Sequence, residues 1–276
     1  MGPRAGTDTH FRSWVHSMIK NAKLAVRWLL QRTTIGYLAL LRHDKRISGP
    51  PGAPVAPWHN AVLKDYDELN RTLTQVAKLN LPPMGDPPKN WDSLAALDCI
   101  LGATSRKAWI LDAGAETYSR ILPWLCMYGY RKLYGINLVF GETFRHGPIS
   151  YRHGDITQTE FPDQTFDAIT CLSVVEHGVD LNAYFREMWR ILKPGGLLIT
   201  STDYWQTPIE TNGRHFYGSP VHVFTEEEIV KGLDVAQRNG FAPTGPVDLS
   251  CNKRVVRWSE VELDFTFLIF TLRKPS

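Results

Sequence analysis

The 276-residue sequence has no apolar run close to the roughly 20 residues needed to cross a bilayer, so no spanning helix is expected. It has no C-x-x-C pair either: Cys99, Cys126, Cys171 and Cys251 lie far apart. Three of them sit among apolar residues, which points to buried free thiols rather than disulfides or a metal site. The opening "MGPRAGTDTHFRSW" lacks the layout of a secretion signal, and a cytoplasmic location is the expectation. Internal repeats and low-complexity tracts are absent. What remains is ordinary globular material, 43% hydrophobic, 21% charged and 11% aromatic. That suffices for one large domain, or one domain with an extension.

Acidic residues are scarce in the first 46 positions, where nine Lys and Arg face only Asp8 and Asp44. This stretch carries +7 and the rest of the chain −4. Within it Phe11, Trp14, Val15, Met18, Ile19, Ala22, Ala25, Val26 and Leu29 recur at helical spacing and fall on one face. His16, Lys20, Lys23 and Arg27 fall opposite, with Arg12 at the boundary. Such a helix fits two partners. One is the cytoplasmic face of an anionic membrane, contacted peripherally through residues 11–30. The other is the chain's own globular body, with the charges simply solvated. Nucleic acid is not an expected partner, because the body is acidic and the basic helix has no interleaved exposed aromatics. The Pro- and Gly-rich "ISGPPGAPVAPW" (47–58) reads as a linker. It divides the chain into a helical extension, 1–58, and a main domain, 59–276.

After the linker, 60–80 reads as a helix, "LPPMGDPP" as a break, and 90–101 as a second helix that Asp92 can cap. From about 107 short apolar runs alternate with helical ones. Strands are expected at 108–112, 132–136, 149–152, 166–172 and 196–202, and helices at 117–128, 181–192 and 225–239. That alternation implies an α/β fold, a doubly wound and mostly parallel sheet covered on both faces. Two β-rich runs at the end, "RVVRWSEV" and "LDFTFLIFTLR", suit an antiparallel hairpin closing the sheet.

In such sheets ligands bind beyond the carboxyl ends of the strands, where the strand order reverses. The first strand ends in "ILDAGAE", where Asp112 closes the strand and Gly114 allows a sharp turn. The second ends in "YGINL" with Asn137, and the third in "HGDIT" with Asp155. "FPDQTFDAITCLSVVEHGVD" runs from an acidic turn through a buried strand to Ser173 and the Glu176–His177 pair. "FREMWRILKPGGLLITSTDYW" follows with helix, turn, strand and Asp203.

In this order and spacing, residues 107–205 resemble class I S-adenosylmethionine-dependent methyltransferases, and more loosely members associated with glycan biosynthesis. The resemblance implies a seven-stranded Rossmann-like sheet and S-adenosylmethionine as cofactor. By that likeness the Asp112–Gly114 turn faces the methionine part of the cofactor, and Asn137 binds the ribose. Asp155 then binds the adenine amino group, and Ser173 and Val174 line the sulfonium side. Two departures stand out. Glu116 and Tyr118 occupy positions where the family has further glycines, and Asn137 replaces the usual acidic residue. Glu116 can attract the cationic cofactor, or cap the following helix.

Methyl transfer from a sulfonium chiefly requires alignment of donor and acceptor, and an alcohol acceptor also needs its proton removed. His177 is a candidate base. Asp203 can accept a proton, orient His177 or bind sugar hydroxyls. Tyr204 and Trp205 can form a platform for a sugar ring. The loop 211–225, with His215, Tyr217 and His222, is placed to cover an acceptor. No metal is expected, since nothing in the spacing of these histidines demands one. The expected function is methylation of an oxygen on a sugar, free or lipid-linked, or on another hydroxylated small molecule. The alternatives are a lipid or small-metabolite methyltransferase, and a non-catalytic interaction module of the same shape. Oligomeric state is not legible.

Overall fold

The computed structural model describes residues 7–43, 49–50, 52–216 and 218–276. Six main strands form the sheet: β1 (Trp109–Ala113), β2 (Lys132–Asn137), β3 (Ile149–His153), β4 (Phe166–Leu172), β5 (Leu192–Tyr204) and β6 (Leu263–Arg273). Their spatial order is β3-β2-β1-β4-β5-β6, with the first five parallel and β6 antiparallel to β5. The order reverses between β1 and β4, so the switch point lies where Gly114 and Ser173 leave their strands. Four shorter strands complete a ten-stranded sheet. Phe144–His146 extends the β3 edge, while Ala61–Val62, Ala242–Pro243 and Val256–Trp258 pair with β6. The last of these makes the C-terminal antiparallel hairpin that the β-rich runs implied.

Seven helices are described: α1 (Thr7–Gln31), α2 (Thr34–His43), α3 (Tyr66–Lys78), α4 (Lys89–Ala103), α5 (Ile121–Met127), α6 (Leu181–Ile191) and α7 (Glu226–Arg238). One face of the sheet packs against α3, α4 and α5, and the other against α6 and α7. Where both faces are covered, every inward position must be apolar or fully hydrogen-bonded. Thus Ile110, Leu133, Leu197 and Ile199 meet the first helix layer, and Leu111, Ile169 and Leu198 meet the second. α7 starts at a capping box, in which the Thr225 side chain accepts from Glu228 N–H and Glu228 reaches back to Thr225 N–H.

Three expectations are corrected. The helix expected over 60–80 begins only at Tyr66, because Ala61 and Val62 pair with Ile269 and Leu268 of β6. Asp65 then caps the helix, accepting from Glu68 N–H at 2.8 Å. The helix expected from 117 begins at Ile121, and a turn closed by Ser119 N–H to Glu116 C=O precedes it. Asp92 does not cap α4. The helix starts three residues earlier, and Asp92 is fully buried, accepting from Ser201 Oγ at 2.7 Å. Cys99, Cys126 and Cys171 are buried free thiols, and Cys251 is a half-buried one.

The N-terminal helices differ from the rest. α2 docks on the body through Tyr37, which is buried over Gly147 with its ring 5.9 Å from that of His146. Gly147 N–H also bonds to Gln31 C=O, at the end of α1, at 2.6 Å. Beyond that tether Met18, Ile19, Leu24, Val26, Trp28 and Leu29 of α1 are exposed. No described helix is long and apolar enough to cross a membrane.

Candidate active site

Gly114 turns the chain away from β1 with φ +85°, and its N–H and that of Ala115 both donate to Ile136 C=O at 2.9 Å. A Cβ at this position would lie 2.4 Å from Val174 Cγ2, so glycine is required both by conformation and by space. Val174 therefore meets the Gly114 turn directly across the switch point. Ser173, beside it, has φ +54°, a left-handed conformation uncommon in a non-glycine residue. Its N–H donates to Ser201 C=O and Oγ at 3.0 and 3.1 Å, while its own Oγ is buried with no hydrogen-bond partner. A buried hydroxyl without a partner is costly and calls for a ligand.

On the β2 side, Asn137 turns inward. Its Nδ2 donates to Ala115 C=O at 3.0 Å and to Glu116 Oε1 at 3.3 Å, and its Oδ1 accepts from Val139 N–H. Glu116 accordingly does not cap α5; its carboxylate stands next to Asn137, and partial burial raises its pKa. The carboxylate missing from the end of the second strand is thus supplied from the turn after the first. Asp155 lies on the neighbouring loop, where Gly154 N–H bonds to Asn137 C=O. Its Oδ1 accepts from Thr157 N–H and Oγ1, both at 2.7 Å. Leu138 and Val139 are exposed beside this group, an apolar surface that the sequence reading overlooked. Two adjacent apolar residues directly after a strand end were the available signal.

Across the switch point the edge is buried and acidic. Asp92, Asp112, Glu176 and Asp203 are all buried. Asp112 accepts from Thr170 Oγ1 at 2.7 Å, and burial pushes its pKa up to about 7. Asp203 is raised well above the carboxylate range by burial and then by the charge of Glu176, with which it shares a hydrogen bond. Glu176 is itself raised by burial and accepts from Thr202 Oγ1 at 3.2 Å. Two adjacent buried carboxyls retain a proton between them, since both cannot ionise cheaply. Lys89, in the first turn of α4, is the positive charge that favours ionisation of Asp92, Glu176 and Asp203. Burial, with Lys89 adding to it, holds His177 down at about 4, so its imidazole is neutral at physiological pH. Glu176 was quoted in the sequence reading only as the neighbour of His177. Its pairing with Asp203 depends on two strands meeting and leaves no linear signal.

The remaining candidates do not converge here. Tyr204 follows Asp203 on β5 and so points to the opposite face, where it is fully buried and donates from its OH to Leu249 C=O at 2.9 Å. It forms no platform with Trp205, which packs with the α4 face and carries the Arg254 guanidinium 4.7 Å over its ring. His215 lies on a small hairpin with its Nδ1 3.0 Å from Gly213 C=O. His222 is turned to Glu228, 3.3 Å away, and against the Phe224 ring. Tyr217 lies outside the described residues. Among the described residues no three His, Cys, Asp or Glu are grouped to hold a metal ion.

Comparison with known proteins agrees with this geometry. Residues 111–200 match the family model described as a methyltransferase domain. Sterol 24-C-methyltransferase of Aspergillus fumigatus is 41% identical over 49 residues, which are 18% of this chain and 13% of that protein. Phosphoethanolamine N-methyltransferase 3 of Arabidopsis thaliana is 38% identical over 60 residues, 22% of this chain and 12% of that one. The chain therefore spans only a small part of the length of these curated relatives. Among solved structures, a geranyl diphosphate methyltransferase in complex with SAM superposes with a TM-score of 0.51 at 16% identity. That alignment covers 82% of this chain and 97% of the other, and it supports the fold.

Proposed function

We propose that this chain is a class I S-adenosylmethionine-dependent methyltransferase that places a methyl group on an oxygen of a hydroxylated acceptor. The observation that carries the reading is a meeting at one switch point. The glycine-only turn at Gly114 and the unbonded Ser173 hydroxyl stand on one side of it, and the Glu176–Asp203 pair on the other. The residues present fit the cofactor, since Gly114 clears a close backbone approach and Ser173 Oγ awaits a polar partner. When bound, the cofactor supplies a methyl group already activated on a sulfonium.

The chain's residues do the rest. Glu116, held by Asn137 Nδ2, would bind the ribose hydroxyls of the cofactor. Leu138 and Val139 would offer apolar surface to the base, and Asp155, held by Thr157, would bind its amino group. Asp112 and Ser173 hold the amino-acid end, with Val174 against the sulfonium side. His177, neutral above about pH 4, is free of the charge that would stop it taking the acceptor's hydroxyl proton. The Glu176–Asp203 pair holds one proton in its mutual hydrogen bond and leaves its outer oxygens to accept from acceptor hydroxyls. Several hydroxyls can be met in that way, which favours a carbohydrate, free or lipid-linked, as the acceptor class. Trp205 remains as a single aromatic wall for it.

The test is calorimetric titration with S-adenosylmethionine and its demethylated product, followed by transfer of labelled methyl to a panel of free, nucleotide-linked and lipid-linked sugars. Micromolar cofactor binding with labelled product is the expected result. Well-folded protein that binds neither form would overturn the enzyme in favour of an interaction module. Binding with label appearing only on unhydroxylated acceptors would overturn the carbohydrate reading.

A further inference from the structure

A run of exposed apolar side chains lies on α1. Met18, Ile19, Val26, Trp28 and Leu29 are each between 49% and 59% exposed, in a protein whose other helices bury their apolar faces. At about 100° per residue Met18, Ile19, Ala22, Ala25, Val26 and Leu29 fall within an arc of about 120°. His16, Lys20, Lys23 and Arg27 occupy the opposite side together with Leu24, and Trp28 lies between that side and the stripe. Between Asp8 and Asp44 there is no acidic residue, while Arg12, Lys20, Lys23, Arg27, Arg32 and Arg42 lie in that interval. The Arg32 guanidinium sits 3.7 Å over the Trp28 ring, which keeps an aromatic and a cation together at the helix end.

Three occupants are conceivable for an exposed apolar stripe, and the charge decides among them. The chain's own body is net acidic, yet α1 is tethered to it at its C-terminal end, by Gln31 and through α2, while Met18, Ile19, Val26 and Leu29 stay exposed. A second copy would bring two cationic helices together stripe to stripe. An anionic surface that also accepts apolar side chains satisfies both faces of the helix at once. We infer that α1 is an interfacial helix that seats this protein on an anionic lipid surface, with Met18, Ile19, Val26 and Leu29 entering the acyl boundary and Lys20, Lys23 and Arg27 drawn to the headgroups. Trp28 is the type of side chain that settles at that depth. The inference stands on the helix alone and does not require the methyl-transfer reading.

The experiment is flotation of the full chain with vesicles of phosphatidylcholine, with and without phosphatidylglycerol. The native chain should float with the anionic vesicles and lose them as salt rises, since surface attraction is screened. Reversing three charges together, Lys20→Glu, Lys23→Glu and Arg27→Glu, should weaken partitioning by at least about 100-fold, since the loss of each cation near the surface alone costs about 1 kcal/mol. Met18→Asp with Leu29→Asp should abolish it. All five positions are exposed or carry exposed charge, so an unchanged melting temperature will show that the variants fold. Equal partitioning onto neutral vesicles, or partitioning indifferent to the charge reversal, would overturn the inference. So would a dimer in solution that Met18→Asp with Leu29→Asp converts to monomer while the native chain ignores anionic vesicles.

Discussion

Along the carboxyl edge of the sheet, the β1–β2 side is a turn whose polar groups are nearly all engaged by one another. Gly114 and Ala115 donate to Ile136, Asn137 straps Ala115 and Glu116, and Asp155 is held by Thr157. The β4–β5 side, a few ångströms across the switch point, buries carboxyls that lack cations enough to match them, and burial raises the pKa of each. The first side is rigid and shaped for a ligand whose polar groups are known in advance. The second stores unfavourable burial, which persists in folds where charge must be offered to a reacting molecule. On the proposed reading, binding and chemistry are divided between the two sides of this edge.

The comparison can be broken from either side. The largest effect is expected at His177. His177→Ala should lower turnover about 10²- to 10⁴-fold and leave cofactor affinity unchanged, as measured by single-turnover rates and calorimetry. Because burial holds this imidazole at about 4, activity of the native protein should stay level from neutral pH down towards that value and fall as His177 protonates. A fall centred between pH 6 and 7 that persists in Asp112→Asn would remove His177 from the role, since the Asp112 carboxyl itself titrates at about 7.

Next comes Gly114→Ala. It forces a Cβ to within 2.4 Å of Val174 Cγ2 at φ +85°. It should cost about 1–3 kcal/mol of stability and abolish detectable cofactor binding. Adding Val174→Ala should return part of the stability by opening space, and a thermal melt reads the difference. If Gly114→Ala alone binds cofactor normally, the turn is not the cradle.

A smaller and sharper effect belongs to the exchange of carboxylate and amide. Glu116→Gln should weaken cofactor binding by about 10-fold, the scale of one hydrogen bond to a charged group. Asn137→Asp should also weaken it, because two carboxylates would then face each other across 3.3 Å. The double variant Glu116→Gln with Asn137→Asp exchanges the two groups and should recover most of the loss. Additive losses in calorimetry would show that position, and not the exchanged carboxylate, is what matters.

The smallest effect is on stability. Burial lifts the Asp112 carboxyl from its ordinary range to about 7 in the folded protein. Below the unfolded pKa both states hold the proton and the contribution to stability is complete. As pH rises through the interval up to about 7 the unfolded chain loses its proton first, so stability declines. Asp112→Asn keeps an oxygen to accept from Thr170 and removes that decline. Denaturant melts from pH 4 to pH 7 should show a shallower slope for the variant than for the native chain, and identical slopes would contradict the assignment.

Much of the fold was legible from periodicity, because a sheet covered on both faces writes its strands as short, wholly apolar runs. β1 to β5 stand within a few residues of their expected limits, and α6 and α7 within one at each end. Boundaries failed where a long-range contact overrode local preference, as when β6 drew Ala61 and Val62 out of the expected helix. Gly114, Ser173, Val174, His177 and Asp203 were legible as candidates because each lies at or just beyond the carboxyl end of a strand. Tyr204 was misplaced because reading strand-end residues as a cluster ignores the alternation that sends neighbours to opposite faces.

From sequence alone came the parallel sheet, the edge that carries the chemistry, the amphipathic character of α1 and the substitution of Asn137 for an acid. All of these depend on residue type and local spacing. Only the tertiary structure decided that the Glu116 carboxylate meets Asn137, that Glu176 pairs with Asp203 within the influence of Lys89, and that Met18, Ile19, Val26 and Leu29 of α1 face outward. Each of these is a meeting of residues distant in the chain, or the absence of a packing partner. Hydrophobic pattern records that a side chain prefers burial, but it does not record which surface buries it.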